Sequence, residues 1–289
     1  MVKLLAELTP AKINLFLRVT GRRGDGYHEL DSVFLPISIA DGLKLEVRTS
    51  EQASVALKAG ASGLPAADRN LAVRAARAFM KEFAVAAQVS IELEKNIPIG
   101  AGLGGGSSDA GAVLRMLAAL CRVSDSERLA AIALKLGADV PFFLNPVAAR
   151  VRGIGERIEP LGRIPEFRLV IAVPPVEVST AQVFGALKPE QWSGPASDED
   201  INRILQGRIT PALLVNDLAQ TAMAKWPVIA HLKALLEASG AQAAAMTGSG
   251  GAVFGIFPTA EAAEAAGREV AGRAPQARVF VTKTRQFSQ

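Results

Sequence analysis

The sequence, 289 residues long, predicts an α+β protein large enough for two ordinary domains. In the first half, strand-like alternation gives way to a glycine-rich run and then to helical stripes. In the second half, the segments follow in the order β-α-(α)-α-β-β-α-β, close to the ferredoxin-like split motif. Hydrophobic residues make up 49% and charged residues 21%, which provides for a substantial core and excludes wholesale disorder.

The elements follow from periodicity and punctuation. Ala11 to Leu17 alternates, with Ala11, Ile13, Leu15 and Leu17 on one face and Lys12, Asn14 and Phe16 on the other. Gly21 to Gly26 reads as a basic turn. Ser32 to Ile39 and Leu43 to Thr49 read as two further strands. Asn70 to Phe83 has a helical stripe of Leu71, Ala75, Ala78 and Phe79, and Val89 to Glu94 alternates like a half-buried strand. Ala110, Val113, Leu114, Leu117 and Leu120 lie on one helical stripe. Ser124-x-x-Glu127 is a capping-box signature for the next helix, with Leu129, Ile132, Ala133 and Leu136 inward.

The second half starts with the buried-strand run Phe167 to Val173, stopped by Pro174-Pro175. Thr180 to Leu187 is helical, Lys188 to Asp200 reads as a surface loop, and Val228 to Ala238 is a helix with Gly240 as its C-cap. Gln242 to Met246 and Ala252 to Phe257 are strands flanking a second glycine turn. Ala260 to Ala271 is helical, and Arg278 to Lys283 is the last strand.

Between the strand and the helix of the first half lies Pro98-Ile99-Gly100-Ala101-Gly102-Leu103-Gly104-Gly105-Gly106-Ser107-Ser108-Asp109-Ala110, with five glycines in seven residues. Backbone without side chains can approach a phosphate closely, and its N–H groups can point inward as a nest. A following helix N-terminus adds orphan donors and a partial positive charge. No Gly-Lys-Ser/Thr closes the run, so it is not a Walker A loop. Its literal G-x-G-x-x-G is followed by a second helix where a dinucleotide fold needs a strand.

The longer string Pro-x-x-x-Gly-Leu-Gly-Gly-Gly-Ser-Ser-x-Ala resembles the second motif of the GHMP kinases. Thr9-Pro10-Ala11-Lys12-Ile13-Asn14-Leu15 resembles their first motif, and Met246-Thr247-Gly248-Ser249-Gly250-Gly251-Ala252-Val253-Phe254 their third. Gly26-Tyr27-His28-Glu29-Leu30 and Leu136-Gly137-Ala138-Asp139-Val140-Pro141-Phe142-Phe143 match further segments in the family's order. The resemblance implies an N-terminal ribosomal-S5-like α/β domain (1–158) and a C-terminal ferredoxin-like domain (159–289), with the active site in the cleft between them. It also implies an ATP-dependent small-molecule kinase using Mg²⁺ and an alcohol acceptor. The three successive glycines and Tyr27-His28 point within the family to a cytidine diphosphate derivative of methylerythritol as substrate, in the non-mevalonate isoprenoid route. Homoserine or mevalonate is the alternative acceptor.

On this resemblance Asp139 is the catalytic base and Lys12 its partner, keeping the carboxylate ionised and offsetting charge on the attacking oxygen. An ordinary aspartate is a weak base, which loose phosphoryl transfer tolerates. The residues alone leave Asp139 open between base and helix cap, and alone favour Lys12 as a solvated lysine on an edge strand. The resemblance further assigns Asn14 to the substrate near its reacting hydroxyl, and Tyr27 and His28 to the cytosine. Phe184 is placed to cover the other face of the base, with core packing as its alternative; Thr180, Gly248 and Gly250 join the substrate set. Pro98 to Ser108 would cradle the ATP phosphates, with Ser107 or Ser108 near magnesium, and Lys95 and Asn70 are candidates for the adenosine end. Asp109 is left open between approaching the metal and pointing away. Asn145-Pro146 stands where a glycine-containing turn is expected, so the loop after Asp139 is expected to bend differently.

Other classes fit less well. The net charge of +4 is scattered, with no basic tract longer than Arg22-Arg23, which argues against a nucleic-acid module. A single cysteine, Cys121, excludes an intrachain disulfide, and no zinc-ligand spacing occurs, which fits a reducing cytosol. No stretch has transmembrane character, and the N-terminus lacks a cleavage pattern. The expectation is a cytoplasmic enzyme, monomeric or weakly homodimeric, with no membrane or nucleic-acid partner.

Overall fold

The computed structural model describes residues 2–59 and 67–285. The chain forms two compact units, one of residues 1–11, 39–99 and 104–146, the other of residues 12–38, 100–103 and 147–289.

In the first unit, strands β1 (Val2–Arg22) and β2 (His28–Thr49) contribute their outer parts. β3 (Ser54–Ala59) comes next, and helix α1 (Leu71–Glu82) follows with Asn70 as its N-cap, the Asn70 side-chain oxygen accepting from the Ala72 N–H at 2.9 Å. β4 (Ala87–Glu94) lies parallel to β3 and antiparallel to residues 42–49 of β2. Helices α2 (Gly105–Cys121) and α3 (Ser126–Leu136) complete the unit. Leu43, Leu45, Phe79, Ile91, Val113 and Leu117 meet in its core. The Cys121 thiol, half-buried at the end of α2, is pushed up by burial, as suits a packing role.

In the second unit, residues 30–34 of β2 pair with β5 (Ala149–Gly153), which turns back into β6 (Arg157–Pro160). β7 (Arg168–Val173) leads to α4 (Thr180–Ala186), α5 (Asp198–Leu205), α6 (Ala219–Lys225) and α7 (Pro227–Ala238). β8 (Ala243–Met246), β9 (Val253–Phe257), α8 (Ala260–Arg273) and β10 (Arg278–Lys283) close the chain. The sheet order β10-β7-β9-β8 is antiparallel throughout, the ferredoxin-like arrangement expected from the element order. Val170, Leu232, Leu236, Val253 and Val270 form its core.

Several expectations need correction. The two strands expected at 32–39 and 43–49 are one strand, β2. Asp41 is fully buried, and its carboxylate accepts the Asn96 and Ile97 N–H groups at 2.6 and 2.8 Å, so the acid caps the chain after β4 and makes no turn. The cap of α3 is Asp125, which accepts from the Arg128 N–H at 3.0 Å, one residue beyond the expected Ser124. The loop expected at 188–200 already contains the first turn of α5, capped by Ser197. Ser239 caps α7, and Gly240 follows it at φ +91°. β3, β5 and β6 are further strands of four to six residues outside the expected set; β3 and β5 alternate in residue type, but each is short.

Candidate active site

The glycine run owes its shape to three left-handed residues, Gly100, Gly102 and Gly104, at φ +70°, +77° and +73°. A Cβ on Gly102 would stand 2.6 Å from the Thr247 carbonyl oxygen and 3.0 Å from that of Gly250. The two glycine turns therefore meet backbone to backbone. The Ala252 N–H donates to the Ala101 carbonyl at 3.1 Å, and the Lys12 N–H to that of Leu103 at 3.0 Å. Gly248 and Gly250, at φ +59° and +103°, give the 247–251 turn its side of this contact.

Helix α2 opens behind Gly104, a left-handed residue with no side chain to satisfy the first N–H groups. That leaves an anion-binding helix start preceded by a glycine nest. Pro98 is buried and Ile99 exposed beside it. Ser108 is buried, and its hydroxyl donates to the Pro10 carbonyl at 2.7 Å. Ser107 is half-buried.

Asp109 points away from the loop. One carboxylate oxygen accepts from the Thr9 hydroxyl and the other from the Lys95 ammonium, both at 2.8 Å. Lys95 also pairs with Asp41, so this candidate for the adenosine end is the centre of a buried acid–base–acid cluster. Burial raises the Asp109 carboxyl to about 6 despite Lys95. Asn70, the other candidate, is engaged as the α1 cap.

Asp139 is half-buried between the end of α3 and the 3₁₀ turn Pro141–Leu144. Val140 occupies the cap position with Pro141 first in the turn, so Asp139 is not the cap. Helix α2 braces this segment: Phe143 leaves no room for a Cβ on Gly111, which would lie 2.6 Å from the Phe143 Cβ. Arg115 donates to the Phe143 carbonyl and pairs with Glu7.

Lys12 is buried, against the solvated edge that its residue type alone favours. Its ammonium donates to Asn14 Oδ1 at 2.6 Å and lies 4.7 Å from the centre of the Phe34 ring. Asn14 in turn donates through Nδ2 to Ser32 Oγ at 3.0 Å, and through its backbone N–H to Thr247 Oγ1 at 2.8 Å. Lys12, Asn14 and the second glycine turn are thus one network.

Tyr27 is 60% exposed. His28 packs on Phe184 with ring centres 5.3 Å apart, and Trp192 meets it edge-on at 6.0 Å and 88°. Burial and Arg22 lower the His28 pKa, which holds the imidazole neutral at neutral pH. A base stacked between His28 and Phe184 would need about 7 Å, so Phe184 backs the histidine and Tyr27 is the open ring. Thr180 shares a 2.7 Å hydrogen bond with Ser249 of the glycine turn. Sequence reasoning missed Trp192, which lies in what reads as a surface loop; its signal was being one of two tryptophans.

The N-terminal domain of the GHMP kinases matches residues 70–145 and their C-terminal domain residues 211–276. A homoserine kinase from Cytophaga hutchinsonii, 18% identical, has the same fold with a TM-score of 0.74 over 98% of this chain and 95% of its own. The chain belongs to the GHMP kinase family. A relative from Anaeromyxobacter dehalogenans (strain 2CP-C) is 43% identical over 93% of this chain and 86% of its own length; one from Citrifermentans bemidjiense is 38% identical over 93% and 95%. Both are 4-diphosphocytidyl-2-C-methyl-D-erythritol kinases. A crystal structure of 4-(cytidine 5'-diphospho)-2C-methyl-D-erythritol kinase, 37% identical, superposes with a TM-score of 0.81 over 97% of this chain and 100% of that one. Among the described residues no helix is long and apolar enough to cross a membrane.

Proposed function

We propose that this enzyme transfers the γ-phosphoryl group of ATP to a hydroxyl of 4-diphosphocytidyl-2-C-methyl-D-erythritol, giving the 2-phosphate and ADP. The carrying observation is the 37% identical kinase that matches 97% of the chain. The glycine run and the uncapped start of α2 suit the nucleotide's phosphates.

Residue roles follow the family motifs. Asp139 takes the proton of the acceptor hydroxyl, and the Lys12 ammonium offsets the charge growing on that oxygen. Asn14 orients the hydroxyl, and positioning outweighs basicity in a loose transfer. Tyr27 stacks on the cytosine while His28, backed by Phe184, meets its edge; Thr180, Gly248 and Gly250 line the acceptor. Lys95 and Asn70 serve the nucleotide indirectly: Lys95 holds the strand end before the glycine run, and Asn70 caps α1, whose Leu71 lies 3.5 Å from where a Cβ on Gly106 would be.

The donor set fits magnesium bound mainly through phosphate. Among the described residues no group of three or more His, Cys, Asp or Glu is built to hold a metal. Mg²⁺ typically binds through one or two protein ligands plus phosphates and water, and Ser107 supplies a hydroxyl at the helix start. The ion would neutralise charge on the transferring phosphate. The setting is cytoplasmic, and the enzyme acts as a monomer or weak homodimer on a small molecule, with no nucleic-acid or membrane partner; the sequence divides functionally at 1–158 and 159–289.

ADP release from Mg-ATP is measured with the cytidyl acceptor, mevalonate and homoserine offered separately. Turnover with the cytidyl acceptor alone, lost in Asp139→Ala, is expected. Turnover with another acceptor would overturn the substrate.

A further inference from the structure

The outer part of β1, residues 2–8, carries an apolar stripe that the chemistry above does not use. β1 pairs with β2, and β4 occupies the other side of β2 over residues 42–49. Among the described residues no strand but β2 pairs with β1. Residues 2–8 therefore form an edge of the sheet, where backbone N–H and C=O groups can template a further strand.

Side chains along a strand alternate between its faces. Lys3 donates to the Leu120 carbonyl and Glu7 pairs with Arg115, so the odd-numbered residues lie on the α2 side. Val2, Leu4, Ala6 and Leu8 lie on the other side. Val2 and Leu4 are each 52% exposed and Leu8 59%, and Leu5 on the helix side is 37% exposed. An antiparallel sheet normally turns polar residues to water. β4 does so with Gln88, Glu92 and Glu94, whereas β1 turns aliphatic ones.

The stripe complements itself. A twofold axis through Leu5, perpendicular to the sheet, sets Lys3 of each copy opposite Glu7 of the other. It also sets Val2 opposite Leu8 and Leu4 opposite Ala6. A slip of one residue would exchange the faces. A slip of two residues either way sets a charge against Leu5, by Lys3 in one direction and by Glu7 in the other. Lysine on an edge strand ordinarily prevents pairing, but in this register it meets an opposite charge. Neither contact with α2 has to break. Leu120 takes one of three ammonium donors, and Arg115 uses only Oε1 of the Glu7 carboxylate.

We propose that residues 2–8 of β1 are a homodimer contact, two copies pairing edge to edge in this register to form one continuous sheet. The occupant is a second copy of this chain because the strand matches its own charges and apolar positions. A standard interface has about 20–30 residues a side, so this shorter contact gives a reversible, concentration-dependent dimer. The proposal assigns a surface to the weak homodimer named above and is independent of the acceptor.

Sedimentation of the full chain over a concentration series is expected to show monomer and dimer in exchange. Lys3→Glu gives an edge with two acids and Glu7→Lys an edge with two lysines, so each variant alone sets like charges opposite one another twice. Each is expected to weaken self-association about tenfold. An equimolar mixture of the two restores opposite charges at both ends and is expected to regain wild-type association. Wild type that stays monomeric at about 1 mM overturns the proposal. So do variants that associate as wild type does, and a mixture no stronger than its components. Should a charge variant not fold, Leu4→Lys, on the face away from α2, takes its place, and unchanged association overturns the proposal. Monomeric wild type with normal turnover of the cytidyl acceptor overturns this inference alone. A dimer that obeys the charge pattern but ignores that acceptor supports this inference and overturns the substrate reading alone.

Discussion

Lys95 donates to Asp109 at 2.8 Å and pairs on its other side with Asp41, and all three side chains are buried. The cluster ties the end of β4, the middle of β2 and the first turns of α2 together, and so holds the chain on both sides of the glycine run. Removing one member leaves an uncompensated buried charge, which typically costs about 3–5 kcal/mol. Lys95→Met is therefore expected to lower stability by about that amount in denaturant titration. A loss of ATP affinity with unchanged stability would instead make Lys95 a direct nucleotide ligand.

The same cluster sets a pH dependence. Burial raises the Asp109 carboxyl to about 6. The folded state thus holds this proton more tightly than the unfolded chain, whose carboxyl titrates near 4. Its contribution to stability is complete below about 4 and is lost as the pH rises through about 6. The Tm difference between wild type and Asp109→Asn is expected to shrink over that window. A difference that grows or stays flat would show that Lys95 outweighs burial.

How much of this was legible in the sequence depends on the range of the contacts. The glycine run, the helix that opens at Asn70 and the ferredoxin-like element order are local signals, and periodicity and punctuation carry them. The continuity of β2 through Asp41 is hidden, because the partners that bury Asp41 lie 54 to 56 residues further on. The burial of Lys12 is hidden in the same way, because a strand whose two faces are both covered shows alternation of residue type without alternation of exposure. Ser107 and Ser108 are indistinguishable in sequence. The structure distinguishes Ser108 by its bond to the Pro10 carbonyl, 98 residues away.

Those two serines should separate experimentally. Ser108→Ala removes a buried hydroxyl from the Pro10 carbonyl and is expected to cost about 1 kcal/mol of stability, with KM for Mg-ATP nearly unchanged. Ser107→Ala is expected to leave Tm alone and to raise the magnesium concentration needed for half-maximal rate. Reversed behaviour would reverse the assignment.

Gly102 tests the meeting of the two glycine turns. Alanine there combines a left-handed φ of +77° with a Cβ 2.6 Å from the Thr247 carbonyl oxygen. The backbone on both sides must shift, at a cost of about 2 kcal/mol or more. Gly102→Ala is expected to lower stability and to raise KM for ATP together. Gly24→Ala, where a Cβ meets nothing within 4 Å, serves as the control and should change neither. Normal ATP kinetics in folded Gly102→Ala would remove the loop's shape from the account of phosphate binding.

Asp139 offers the sharpest separation of structure from chemistry. A cap residue and a base would both be lost on mutation, but they fail differently. Val140 holds the cap position of the turn and Pro141 its first residue, so Asp139 is not the cap. The brace from Gly111 and Arg115 acts on Phe143, four residues on. Asp139→Asn keeps the size of the side chain and removes its capacity to accept a proton. Loss of a positioned base typically lowers the rate about 10²- to 10⁴-fold. The expected result is a fall in kcat of that order, with Tm and both KM values close to wild type. An activity loss that tracks a fall in Tm would return Asp139 to a structural role and require another base.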